Sequence, residues 1–298
     1  MATGPNTGIL LGFAESLDPA CALARAAGLD FAEIEVHHFP DGESRVSLPA
    51  SLPGRVVICR SLDQPNQKLL ELLLAAATAR ELGAGHLTLV APYLCYMRQD
   101  KAFHPGEAVS QRVVGKLLAD NFDALITVDP HLHRVSRLED AIPVKSARAL
   151  AATEAMAAYL EGQLDKPLLI GPDEESQQWV AAIAARNRLE YCVARKQRYG
   201  DADIKVTLPD RTYRGRHLVL VDDIASTGST LEVASRELWK HRPASISVMV
   251  THALFVGDAL ARIKRAGVEH IWSSDSIVHP TNRIRLAGPI ASALMELS

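Results

Sequence analysis

The chain has little with which to staple a fold or enter a membrane. Only four of its 298 residues are cysteines (Cys21, Cys59, Cys95, Cys192), widely scattered and with no C-x-x-C pair. That spacing points to neither a zinc site nor a disulfide framework, and the four are expected to be small buried hydrophobes in a reducing compartment. Charge of one sign is also lacking: 32 basic against 35 acidic residues leave a net charge of -3, which argues against a surface that coats nucleic acid. There is no long hydrophobic run, because the most apolar helical stretch, Leu69 to Ala79, is broken by Glu71 and is too short to span a bilayer. No charged-then-apolar leader opens the sequence, and no low-complexity linker or charge block divides it. The expectation is a soluble cytoplasmic protein with neither nucleic acid nor membrane as partner.

What is present is apolar residue in quantity, 48%, enough for sizeable cores in two domains of ordinary size. Short β-like runs alternate with helix-like ones. Val56 to Cys59 is followed by Lys68 to Leu82, then Leu87 to Ala91, Ser110 to Ala119 and Ala124 to Val128. Beyond the polar stretch Arg137 to Arg148, where the domain boundary is expected, come Ala151 to Leu164, Leu168 to Ile170, Gln177 to Arg186 and Glu190 to Ala194. Strand Leu218 to Val221, Ser245 to Val250, Gly257 to Ala266 and a closing helix Ile290 to Leu297 complete the pattern. Such alternation predicts α/β architecture, mostly parallel sheets flanked by helices. A weak internal echo, LITVD ending at Asp129 and LVLVD ending at Asp222, hints at two similar domains.

The most informative segment is LVLVDDIASTGST, residues 218–230. An apolar strand delivers Asp222 and Asp223 to the carboxyl end of a sheet, where open α/β sheets bind ligands. Both carboxylates can accept hydrogen bonds from vicinal ribose hydroxyls or hold a metal through water. The small residues that follow (Ala225, Ser226, Thr227, Gly228, Ser229, Thr230) let backbone N–H groups turn inward on a phosphate, with hydroxyls as further donors, and Gly228 supplies a permissive backbone. The helix expected from Leu231 to His241 would direct its N-terminal dipole at the anion. Taken in isolation, Asp-Asp followed by Ser, Thr and Gly also describes an ordinary strand exit with capping residues.

Other clusters follow strands in the same way. Phe39-Pro40-Asp41-Gly42-Glu43 reads first as a tight turn, yet an aromatic face stacks on a purine and nearby carboxylates accept from its amine. After the strand ending at Ala91, Arg98, Gln99, Asp100 and Lys101 put phosphate and base-edge donors on a loop. His131 sits in the exit VDPHLHR as a candidate metal or phosphate ligand; with no cysteine or third histidine at ligand spacing, zinc is the poorer choice. In Gly171-Pro172-Asp173-Glu174-Glu175, Asp173 could hold Mg²⁺, and Glu174 or Glu175 could cap the next helix. Arg195-Lys196-Gln197-Arg198 brings three cations to a strand exit ahead of the loop 200–203, which suits an anionic transition state. Cations, hard acids and an aromatic platform are what phosphoryl chemistry uses.

In this order the motifs resemble the ribose-phosphate pyrophosphokinase family essentially end to end: FPDGE, PYLCYMRQDK, VDPHLHR, GPDEES, RKQR, LVLVDDIASTGST and the tail SDSIVHPTNRIRLAGPIASAL. The thirteen-residue segment matches the 5-phosphoribosyl-1-pyrophosphate (PRPP) signature that this family shares with type I phosphoribosyltransferases. The resemblance implies two similar phosphoribosyltransferase-like domains, residues 1–146 contributing to ATP binding and 147–285 binding ribose phosphate, with 286–298 a helix packing back on the first. It implies transfer of the β,γ-diphosphoryl group of ATP to ribose 5-phosphate, giving PRPP and AMP. It further implies Phe39, Asp41 and Glu43 at adenine, on a hairpin serving a neighbouring subunit of a homo-oligomer. Arg98, Gln99 and Lys101 would lie at ATP, with Asp100 ordering their loop. His131 and Asp173 would be Mg²⁺ sites and Lys196 and Arg198 catalytic cations; Asp222 and Asp223 would hold the ribose hydroxyls and 225–230 the 5-phosphate. The segment Lys101 to Glu107 carries less positive charge than in the commonest bacterial and animal form and resembles the archaeal type, so weak ADP inhibition and little phosphate dependence are expected. The cradle also departs from the family's usual pattern by placing Ser226 where an acid is common. The competing readings are a type I phosphoribosyltransferase and a non-catalytic regulatory homologue.

Overall fold

A computed structural model describes residues 8–132, 134–135, 137–198 and 204–297. The chain divides into two compact units, one of Met1–Leu150 with Leu286–Ser298 and the other of Ala151–Arg285.

In the first unit β1 (Ile9–Phe13), α1 (Leu17–Ala27), β2 (Asp30–His38), β3 (Ser44–Ser47) and β4 (Arg55–Cys59) lead into α2 (Pro65–Glu81). Then come β5 (His86–Ala91), α3 (Ser110–Ala119), β6 (Ala124–Val128), α4 (Leu138–Ala141) and β7 (Ser146–Leu150). The seven strands line up as β3-β2-β1-β4-β5-β6-β7, parallel except for β3, which returns antiparallel to β2. Runs such as ALITV in β6 are apolar at nearly every position because both faces of a parallel sheet are covered, and all five of these residues are buried.

The second unit contains α5 (Thr153–Leu160), β8 (Leu168–Gly171), α6 (Gln177–Asn187), β9 (Tyr191–Val193) and the ribbon β10 (Arg195–Arg198) with β11 (Ile204–Thr207). It continues with β12 (His217–Ala225), α7 (Ser229–Trp239), β13 (Ser245–Ala253), α8 (Ala259–Arg265), β14 (His270–Ser274) and β15 (Asn282–Ile284). Its six-stranded sheet has the order β15-β14-β13-β12-β8-β9, all parallel. Finally α9 (Ala287–Glu296) belongs to the first unit, where it packs on α1 and the Leu294 carbonyl accepts from Arg55 Nη2 at 3.0 Å.

Read from β2, the first sheet runs β2-β1-β4-β5-β6-β7, and read from β9 the second runs β9-β8-β12-β13-β14-β15. The two units therefore share one topology. In both, an antiparallel ribbon fills the link between the second and third strands of that series: β2 with β3 in the first, β10 with β11 in the second. The sequence echo points elsewhere, since LITVD lies on β6 and the strand occupying its place in the second sheet is β14, not β12.

Several boundaries differ from expectation. The helix expected at Ala151 to Leu164 ends at Leu160, and Gly162 follows with φ 81°, a backbone that suits glycine and not a helix. The strand expected to stop at Val221 runs to Ala225, so Asp222, Asp223 and Ala225 are strand residues, with Asp222 and Ala225 paired to β13. The polar stretch Arg137 to Arg148 contains α4 and enters β7. Of the cysteines, Cys59, Cys95 and Cys192 are buried and Cys21 is half-buried, all four as free thiols; burial pushes the Cys95 thiol up to about 12, which keeps it protonated.

Candidate active site

The second unit assembles an acidic cluster at the carboxyl ends of adjacent strands. β8 stops at Gly171, where an added Cβ would lie 2.5 Å from Ser176 Oγ; bare backbone lets the next turn fold tightly against the strand. Asp173 and Ser176 cap that turn reciprocally. The Ser176 N–H donates to Asp173 Oδ1 at 3.3 Å, and the Asp173 N–H to Ser176 Oγ at 3.4 Å. The cap expected from Glu174 or Glu175 is thus made by Asp173 itself, and its other oxygen, Oδ2, accepts from Lys196 Nζ at 2.9 Å. On the neighbouring β12 stand Asp222 and Asp223. Burial pushes the Asp222 carboxyl well above the ordinary carboxylate range, and the charges of Asp223 and Asp173 push it further. Three carboxylates and one ammonium therefore share one corner, with negative charge in excess. Such an excess suits a hard cation or hydroxyl donors.

Beside this corner the loop after β12 has all its carbonyls tied back. The Ala225 carbonyl accepts from the Phe255 N–H at 2.8 Å, Ser226 from Val256 at 3.0 Å and Gly228 from Glu232 at 2.9 Å, while the Thr227 carbonyl accepts from Arg262 Nη2. With the carbonyls held on one side, the N–H groups point to the other. Among the described residues none of the N–H groups of Ser226 to Thr230 has a backbone partner, and α7 starts at Ser229 so that its dipole adds to them. Gly228 has φ 72°, and a Cβ there would meet Ile263 Cδ1 at 2.8 Å. The ribbon β10–β11 brings Lys196 to Asp173; Arg198 ends β10, but its side chain, like the loop 199–203, lies outside the described residues.

The first unit holds the other set. Phe39, Asp41 and Glu43 form the tip between β2 and β3, closed by the Phe39 N–H donating to the Glu43 carbonyl at 2.8 Å and the Gly42 N–H to the Phe39 carbonyl at 3.0 Å. Phe39 stays 40% exposed and takes the His37 ring edge-on, with centroids 4.8 Å apart. Arg98, Gln99 and Lys101 lie on the loop leaving β5; Arg98 and Lys101 are exposed and Gln99 half-buried. Asp100 turns inward instead. Its Oδ1 accepts from Arg134 Nη1 at 2.6 Å and its side chain is 1% exposed, so it ties this loop to the exit of β6, where His131 also sits half-buried. His133 lies outside the described residues. The structure does not bring the tip and the Arg98 loop together through the sheet: β1 and β4 stand between β2 and β5, a separation of ~14 Å at ordinary strand spacing.

Comparison with known proteins completes these observations. Residues 10–121 match the family model described as the N-terminal domain of ribose phosphate pyrophosphokinase, and 140–281 match that of the phosphoribosyl transferase domain. The chain belongs to the ribose-phosphate pyrophosphokinase family. A ribose-phosphate pyrophosphokinase of Methanopyrus kandleri is 32% identical over 97% of this chain and 99% of its own length. One from Halobacterium salinarum is also 32% identical, over 96% of this chain and 100% of its own. The crystal structure of phosphoribosylpyrophosphate synthetase from Mycobacterium smegmatis superimposes with TM-score 0.83 at 19% identity, covering 98% of this chain and 99% of that one; the two share a fold of two phosphoribosyltransferase-like domains.

Within this family member, reading the sequence alone overlooked three working contacts. The Lys196–Asp173 ion pair joins two motifs that lie 23 residues apart in the sequence. Arg262 has no motif around it, and only the fold brings it to Thr227. Glu71 did leave a signal: an acid inside the most apolar helix of the chain, at a position that helical periodicity turns inward.

Proposed function

We propose that this chain makes PRPP and AMP from ATP and ribose 5-phosphate. The observation that carries the reading is the loop after β12, in which the carbonyls of Ala225 to Gly228 are engaged and the N–H groups of Ser226 to Thr230, with no backbone partner among the described residues, can converge on a phosphate, next to two strand-borne carboxylates suited to the 2- and 3-hydroxyls of a ribose. Held there, ribose 5-phosphate presents its anomeric hydroxyl to the Lys196 side of the corner. The hydroxyl oxygen forms a bond to the β-phosphorus, the bond from that phosphorus to the α-phosphate oxygen breaks, AMP leaves with the bridging oxygen, and the hydroxyl proton is released. The protein does little covalent work: it aligns two substrates and neutralises charge. Lys196 and Arg198 serve as the cations at the transferring diphosphoryl group, and the Lys196 ammonium leaves Asp173 to reach it. Arg98, Gln99 and Lys101 bind the ATP chain and ribose, with their loop ordered by Asp100 through Arg134.

The donors present fit Mg²⁺. Among the described residues no three His, Cys, Asp or Glu side chains are placed to hold a metal ion by themselves, and Mg²⁺ keeps several waters and binds through one or two protein groups plus substrate phosphates. Asp173 offers a hard oxygen beside two more carboxylates in the second unit, and in the first unit His131, at the exit of β6, offers an imidazole nitrogen for a Mg²⁺ of its own. When bound, the ion neutralises and orients phosphate oxygens.

The strand order supports a shared ATP site in a homo-oligomer, since the Phe39 tip stands at a sheet edge away from the Arg98 loop of its own subunit; Phe39, Asp41 and Glu43 then receive the adenine bound by a neighbour. No described helix is long and apolar enough to cross a membrane, in keeping with work in the cytoplasm on soluble metabolites. The test is AMP formation by the isolated chain from ATP, Mg²⁺ and ribose 5-phosphate with no nucleobase present. A phosphoribosyltransferase would consume PRPP and release no AMP, and a regulatory homologue would do neither.

A further inference from the structure

One buried ion pair lies outside every role assigned so far. Arg60 follows β4 directly, with its side chain 5% exposed, and Glu71 lies on α2 with its side chain 2% exposed. Arg60 Nη2 donates to Glu71 Oε2 at 2.6 Å, Nη1 to the Lys68 carbonyl at 3.0 Å and Nε to Glu15 Oε1 at 2.8 Å. Its guanidinium also stacks on Phe13, 3.7 Å from the ring centroid. That fixes one oxygen of Glu71. The other, Oε1, reaches the ribbon: it lies 2.8 Å from His38 Nε2 and accepts from Ser44 Oγ at 3.0 Å. His38 and Ser44 face each other in register and are the last pair before the Phe39 tip.

The link is independent of the sheet. Beyond Ile34 the described residues form no ladder to β1, which pairs with Asp30 to Ile34, so among them Glu35 to His38 and Ser44 to Ser47 have only each other as strand neighbours. An isolated two-stranded ribbon is marginally stable in water, and here both strands end on one carboxylate. Burial by itself would raise the Glu71 carboxyl, but hydrogen bonds from Arg60, His38 and Ser44 outweigh it and hold the group below its usual value, so the acceptor is anionic at neutral pH. In the second unit, the equivalent strand exit carries Asp222, Asp223 and the phosphate loop; in the first, that place is taken by Arg60, which points back at Glu71.

We propose that Glu71 is a positioning residue for nucleotide binding, one that clamps His38 and Ser44 and so sets the pose in which Phe39 meets the purine. This rests on the reading of the tip as the adenine platform. Two hydrogen bonds to a charged acceptor are lost together when the clamp is cut, which leaves Phe39 present but unaimed.

The test compares steady-state kinetics of full-length variants. His38→Ala combined with Ser44→Ala cuts the clamp while sparing the Arg60–Glu71 pair; KM for ATP should rise about 10-fold, with kcat at saturating ATP and KM for ribose 5-phosphate within about two-fold of wild type. His38→Gln keeps a donor near the Nε2 position and should restore most of the ATP affinity in the presence of Ser44. Glu71→Gln should raise KM for ATP in the same direction, and thermal melting reports separately how much its folding suffers. An unchanged KM for ATP in the double variant overturns the proposal, whatever its melting temperature. Phe39→Ala separates the two levels: if it raises KM for ATP and the double variant does not, only the clamp is wrong; if Phe39→Ala has no effect, the platform reading and the clamp fall together.

Discussion

Replacing Lys196 with alanine tests the charge arrangement of the site most directly. The ammonium stands 2.9 Å from Asp173 Oδ2 with only 23% of its side chain exposed, in a corner where burial and the charges of Asp223 and Asp173 push the Asp222 carboxyl up. Its first effect is on turnover. A positioned cation at developing phosphoryl charge contributes about 3 to 4 kcal/mol, so kcat should fall by ~10² to 10³. The effect on folding is smaller, because the pair is partly hydrated and worth about 1 kcal/mol; melting should drop by about 2–4 °C. Ribose 5-phosphate should still bind, because the loop 225–230 and its restraints from Phe255, Val256 and Arg262 do not involve Lys196. The assay is AMP release at saturating substrates, with calorimetric titration of ribose 5-phosphate alongside. Turnover within about three-fold of wild type would remove Lys196 from the mechanism, and loss of ribose 5-phosphate binding would show that it holds the acceptor instead.

Gly228→Ala places a side chain at φ 72° and against Ile263; the loop must shift, and affinity for ribose 5-phosphate should fall about 10-fold or more, a strain of about 1–3 kcal/mol, while ATP binding measured alone is unchanged. Away from the site, burial would raise the Asp123 carboxyl, but the Leu87 N–H, Arg80 and Lys145 more than reverse this and hold it well below the ordinary value of 3.8. Its folded pKa being depressed, its contribution is present at neutral pH and lost as pH falls below about that value. Asp123→Asn should accordingly cost about 1–3 kcal/mol at pH 7, with a gap in melting temperature from wild type that closes in acid. The weakly charged segment after Asp100 leads us to expect AMP formation that depends little on free phosphate and resists ADP except by competition with ATP; strong phosphate activation in initial-rate measurements would contradict this.

The central parallel strands of both sheets were legible because covered faces leave long apolar runs: ALITV and LVLV identify β6 and the core of β12 without help. The candidate site residues stand out for a related reason, since open α/β sheets bind ligands at strand exits and polar letters are conspicuous there. The first fifty residues were not. β2 mixes Glu and His with apolar residues, because it leaves the sheet at Glu35 to form a ribbon that alternates instead of running apolar. The ends of elements were misread where backbone freedom decides them, as at Gly162, or where pairing with a neighbour overrides charge, as it does in carrying β12 through Asp222 and Asp223 to Ala225. Contacts such as Arg262 on Thr227 and Glu71 on His38 join positions 35 and 33 residues apart, and no local pattern encodes them.

The return of α9 to the first unit bears on how the chain matures. Leu286–Ser298 is made after the whole of the second unit, yet it covers α1, which is made long before it. The second unit, Ala151–Arg285, is continuous and has its whole sheet available before α9 is made. The N-terminal unit must wait with an apolar flank of α1 uncovered, its closing contacts spanning almost the entire sequence and so slow to form. Removal of α9 therefore wounds the part that was built first, and the unit that carries the loop after β12 is the one best placed to fold on schedule.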